Sequence, residues 1–156
     1  MKKSMMIGVG VIAALAAGIQ FIRPDRTNPS SDPGSDLLSV LSPPAQVREI
    51  LQRSCYDCHS HQTRWPWYSA AAPASWLVAA DVREGREHLN FSVWGSYPRG
   101  RRIAKLESMI AEVDKGSMPP GTYLLMHREA TLGAAEKEAL LLWMENTADS
   151  LTNESE

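Results

Sequence analysis

The chain opens on one uncharged, mostly apolar run, followed by a gap and then a series of apolar stripes at helical spacing. The run extends from Met5 to Ile22 with no charge inside it, and Lys2 and Lys3 stand before it. It is at the short end of the roughly 17–25 residues that span a bilayer, and the leading lysines favour a cytoplasmic N-terminus. A cleaved signal peptide gives nearly the same pattern. Ala14-Leu15-Ala16 offers a cleavage site, but cutting there strands Ile19, Phe21 and Ile22 on the mature end. Either way, residues 1–22 carry the rest of the chain across a membrane. No Cys follows the run, which excludes a lipoprotein anchor.

The gap is 23–43, broken by Pro24, Pro29, Pro33 and Pro43 with Asn, Ser, Asp and Gly between. Such a segment does not fold alone. As a flexible coil it places its ends about 25 Å apart. The stripes then define a folded part over 44–148. Ser42 is placed to cap a first helix that carries Val47, Ile50, Leu51 and Ser54 on one side. A loop is expected over 60–72, a helix over 74–88 with Trp76, Leu77 and Ala80, and irregular chain from Asn90 to Tyr97. Ile103, Leu106, Ile110 and Val113 predict a helix over 99–115 that Gly116 ends. A loop over 117–132 leads to a last helix over 134–148, with Leu140, Trp143, Met144 and Thr147 inside and Glu136 supporting its start. Residues 149–156 are expected to be a disordered tail. No strand pattern or repeat stands out, so the class is all-α.

With 156 residues the chain has room for one domain and its appendages. A net charge of -2 gives no general basic surface for nucleic acid. The Arg99-Gly100-Arg101-Arg102 cluster reads as a solvated helix start or as a contact to an acidic group. The two Cys, three positions apart, cannot build a disulfide framework. No paired carboxylates or nucleophile–base set argue for hydrolysis.

Cys55-Tyr56-Asp57-Cys58-His59 has the spacing of a c-type haem attachment. Residues three and four apart share a helical face. Two thiols so placed can each bond a vinyl group on one edge of a porphyrin, and the adjacent imidazole can bind the iron. The two residues between the cysteines point elsewhere and are free to vary. A thioredoxin-like dithiol would want a βαβ pattern, and a zinc site would want a second ligand pair beyond His59 or His61. For the opposite side of the iron, Met118 is the candidate, in a loop stiffened by Pro119 and Pro120. Against it stand a plain core methionine and the rivals His88, His127, Met109 and Met126. His61 is too close to His59 to reach the opposite face. Arg64, Trp65, Trp67, Tyr68 and Trp76 are candidate propionate or pocket contacts, each with simple packing as the alternative.

The chain resembles the bacterial haem-binding domain family of small membrane-tethered c-type cytochromes. The resemblance rests on Gln20-Phe21-Ile22-Arg23-Pro24, on Cys55 to His59, and on Gln62-Thr63-Arg64-Trp65-Pro66-Trp67-Tyr68. It continues through Glu84 to Ser92, Gly116-Ser117-Met118-Pro119-Pro120 and Ala135 to Leu140. It implies a class I cytochrome c-like fold, covalent haem on Cys55 and Cys58, iron ligation by His59, and Met118 at the usual methionine position. Gly133 departs from it, standing where a capping Ser is expected.

These readings converge on one covalent haem c and on electron transfer rather than enzymatic turnover. The domain would face the periplasm from a single-pass anchor in a bacterial cytoplasmic membrane, or be soluble there after cleavage, with redox partner proteins of the respiratory chain. A haem-based sensor or peroxidase-like enzyme with a labile distal ligand, and a non-haem thiol or zinc module, are the alternatives.

Overall fold

The apolar run forms a helix, α1 (Lys2–Gly18), continued by a 3₁₀ turn Ile19–Phe21. The computed structural model describes residues 2–153, so Met1 and the tail residues 154–156 lie outside the described residues. Lys2–Phe21 is long and apolar enough to cross a membrane, and none of its residues is buried within the protein. That is the form of an anchor or of a signal segment.

The expected flexible linker carries secondary structure in its second half. A 3₁₀ turn Pro33–Ser35 and a short helix α2 (Leu37–Leu41) occupy it. Leu37 and Leu38 are buried in the core, each side chain contributing about 1.5–3 kcal/mol of transfer free energy. Asp36 caps α2 through the Leu38 N–H and accepts the Tyr56 hydroxyl at 2.7 Å. Ser42 does not cap the next helix. It ends α2 in the left-handed region (φ 44°), and α3 (Ala45–Ser54) starts behind Pro44 with no side-chain cap.

The remaining helices are α4 (Tyr56–His59), α5 (Ala74–His88), α6 (Arg99–Asp114), α7 (Gly121–Leu124) and α8 (Ala134–Asn153). No strand occurs among the described residues. Gly116 adopts φ 74° at the end of α6, as expected of a helix-terminating glycine. The segment 90–97 is more regular than its sequence suggests: a 3₁₀ stretch, Phe91–Ser96, buries Phe91 and Trp94 completely. The loop 117–132 carries α7 and a 3₁₀ turn, Arg128–Ala130. The last helix runs past the expected boundary to Asn153, because Leu140, Met144, Ala148 and Leu151 keep the same face in the core.

One core joins α2, α3, α6, α8 and the 91–96 stretch, with Trp143 packed at its edge. The arginine cluster at the start of α6 proves structural. Arg102 donates to the Tyr97 and Gly95 carbonyls, and Arg99 donates to the Leu151 and Thr152 carbonyls near the end of α8.

Glu136 closes the start of α8, accepting from the Gly133 N–H at 2.9 Å and from Arg53 of α3 at 2.8 Å. Replacing it with Ala should cost about 1 kcal/mol in urea unfolding. Its carboxyl is held below the ordinary value, first by the Gly133 N–H and then by Arg53. The stabilisation is therefore full above the unfolded-state value and fades as pH falls through the depressed folded value, so the gap between parent and variant should close in acid.

Candidate haem site

α3 breaks at Cys55, whose backbone (φ -128°, ψ -38°) leaves helical geometry for one residue before α4 begins. The N–H groups of Cys58 and His59 then both donate to the Cys55 carbonyl, at 3.2 and 3.0 Å. One turn thus carries both thiols and the imidazole. The cysteines are free and half-buried. Burial pushes the Cys55 thiol up to about 12 and the Cys58 thiol up to about 11. Burial thus favours the protonated thiol at both positions. Among the described residues, no group of three or more His, Cys, Asp or Glu side chains could hold a metal ion.

His59 is oriented by the C-terminal end of α5. Its Nδ1 lies 2.9 Å from the Gly85 carbonyl and 3.1 Å from the Leu89 carbonyl. Carbonyls only accept, so the ring proton sits on Nδ1. Burial lowers the imidazole's proton affinity and keeps the ring neutral. The lone pair is then on Nε2, the arrangement a metal-ligating histidine requires. Gly85 permits the approach: a Cβ there would stand 2.7 Å from the Cys58 carbonyl oxygen. Arg86, one residue on, donates to the Ser60 carbonyl and to the Thr63 hydroxyl, holding the chain that leaves the motif.

The residues between the cysteines are not free to vary here. Tyr56 is buried, stacks on Phe91 at 5.0 Å and reaches back to Asp36. Asp57 is buried and accepts from the Arg64 backbone N–H, from Arg64 Nε and Nη2, and from the Tyr123 hydroxyl at 3.0 Å. Burial, with Asp57 beside it, pushes the Tyr123 hydroxyl well above its usual value, so it remains a donor. Two side chains inside the motif therefore fasten it to segments 20 residues before and 66 residues after.

A cavity of about 330 Å³ opens beside this turn. Its lining includes Cys58, Tyr68, Leu77, Val82, Tyr123 and Met126. Arg64 and Tyr68 border it, with the Arg64 guanidinium paired with Asp57. Trp65, Trp67 and Trp76 are not in its lining. Trp67 is 80% exposed, and Trp76 donates its indole N–H to the Ile22 carbonyl. Met118 lies in the turn after α6, outside the cavity lining and partly exposed. Of its rivals, His127 has both nitrogens engaged, by Tyr68 and Glu129. His88 is exposed, Met109 packs against the core, and Met126 lines the cavity. Sequence reading missed Tyr123 and passed over Asp57. The one available signal was an acid inside the motif with an Arg seven residues later.

Residues 14–146 match the haem-binding domain family. The chain belongs to that family. No curated protein and no solved structure matches it. The match of this haem-binding domain begins inside α1 and takes in the segment 23–43, in keeping with the order seen there. Its residues fit the cofactor. Both thiols and the imidazole share one turn, Cys58 of that turn lines the cavity, and the buried Trp65 indole N–H, outside that lining, has no hydrogen-bond partner among the described residues.

Proposed function

We propose that this haem-binding domain is a c-type electron carrier on the outer face of a bacterial cytoplasmic membrane, held there by an uncleaved N-terminal anchor. The observation that carries the reading is the single turn bearing two free thiols and an imidazole whose Nδ1 is tied to carbonyls. Cys55 and Cys58 would hold the haem through thioether links, which these two free thiols can supply without any change of oxidation state. His59, through Nε2, and Met118 would be the side chains that hold the iron, a pairing that raises the reduction potential relative to two histidines. When bound, the haem supplies one-electron iron chemistry. The chain's part is to hold both ligands still, exclude water and keep the cofactor from leaving. A class I cytochrome c-like arrangement is supported by α3, which leads into the motif, packing on the last helix through shared core residues and the Arg53–Glu136 pair. Redox partners of the respiratory chain fit a tethered carrier, since tethering raises local concentration.

A reactive-iron reading draws on one observation: Met118 lies outside the cavity lining, while Tyr68, His127 and Arg64 border it. Absorption spectra separate the two. The reduced protein should be low-spin and unchanged by carbon monoxide, and Met118→Ala should turn high-spin and bind it. A parent protein that binds carbon monoxide would favour the sensor or peroxidase-like reading. A Met118→Ala spectrum identical to the parent's would move the ligand assignment to another side chain, with Met126 next to be replaced.

A further inference from the structure

We propose that the haem domain does not swing on a coil but is clamped to the lipid bilayer in one orientation, with Trp67 in the headgroup layer. This rests on the reading of α1 as a retained anchor. Lys2–Phe21 is 20 residues, which at about 1.5 Å per residue matches a hydrocarbon core of about 30 Å. The outer boundary of the bilayer then falls at Gln20–Ile22.

At that boundary the chain is fastened to the domain. The Gln20 side chain donates to the Ala72 carbonyl at 3.1 Å and accepts from the Ala72 N–H at 2.9 Å. Trp76 Nε1 donates to the Ile22 carbonyl at 2.7 Å. Arg26 donates to the Ser69 hydroxyl at 3.1 Å. Asn28 donates to the Thr63 carbonyl at 2.9 Å and accepts from Arg86 at 2.8 Å. Residues 20–28 are thus a strap bonded along their length to segment 63–76 and to α5. A strap so bonded leaves the domain little freedom to rotate about the anchor, and it fixes segment 63–76 beside the bilayer surface.

The side chains exposed around the strap suit that position. Phe21 is 88%, Ile22 65% and Trp67 80% exposed, and Trp67 belongs to the turn Trp67–Ala70 whose Ser69 holds Arg26. Aromatic residues with nearby arginines beside a span form the usual interfacial belt. Tyr68 and Leu77, from the same turn and the adjoining helix, line the cavity. The clamp therefore holds the cavity near the membrane and favours partners embedded in it.

The test uses full-length holoprotein in vesicles of phosphatidylethanolamine and phosphatidylglycerol, with photoreactive p-benzoylphenylalanine in place of Trp67 or, as control, of Leu142. Flotation with the vesicles after an alkaline wash reports the anchor, and the mass of the cross-linked product reports what meets position 67. Lipid adducts at 67 well above those at 142 are expected. A Gln20→Ala/Arg26→Ala/Asn28→Ala variant should still float but lose the adducts several-fold. Floating protein whose position 67 gives no more lipid adduct than 142, or cross-links to a second copy instead, would overturn the clamp and leave the anchor standing. Protein washed off the vesicles would overturn the anchor itself.

Discussion

A Cys55→Ala/Cys58→Ala protein made beside the cytochrome maturation machinery should release all its haem when denatured and extracted with acidified organic solvent. The parent should keep its haem, and each single variant should keep it through one remaining bond. These are the only two cysteines in the chain, so no other thiol can replace the lost links. On the proposed ligation, what would remain in the double variant is coordination by His59, oriented by Gly85 and Leu89, and such a bond reverses when the fold is lost. The native double variant is therefore expected to bind haem weakly, while its denatured chain should be colourless. Haem staining after denaturing electrophoresis reads this directly. A stained band in the double variant would mean attachment elsewhere.

Gly85→Ala should carry the second largest effect, because it strikes the fold and the proposed ligand His59 together. The added methyl would meet the Cys58 carbonyl oxygen at 2.7 Å and the Cys58 carbonyl carbon and Cβ at 3.2 Å. These atoms are backbone or lie next to it, so they cannot rotate out of the way. α5 would have to retreat from the motif, at an overpacking cost of about 1–3 kcal/mol. The retreat would also lengthen the contact between the Gly85 carbonyl and His59 Nδ1. Lower yield of haem-loaded protein and a lower urea midpoint are expected. Unchanged yield and midpoint would show that α5 does not set the position of His59.

Much of this was legible in the sequence where one local rule decides the outcome. The apolar stripes placed α5 and α6 within a residue of their ends, and the position of Gly116 marked its left-handed turn. The parts that were not legible depend on partners far along the chain. Segment 33–41 reads as a linker because Pro, Gly, Ser and Asp hold five of its nine positions and flank the pair Leu37 and Leu38. It is ordered because those leucines reach the core and Asp36 meets Tyr56. Ser42 is a good capping residue by type, but the helix before it claims it as a terminator. Asp57 looked interchangeable because its partner Tyr123 comes 66 positions later. Trp76 looked like a pocket residue until its indole was found on the Ile22 carbonyl, at the anchor's end. The backbone turn from Cys55 to His59 needed no such help, since its hydrogen bonds are local.

The most direct measurement is the mass of the intact, denatured polypeptide purified from an export-competent host with the maturation machinery. A chain heavier by one haem, with the added mass mapping to the peptide that contains Cys55 and Cys58, is the expected result. A colourless chain with the bare polypeptide mass would contradict the account.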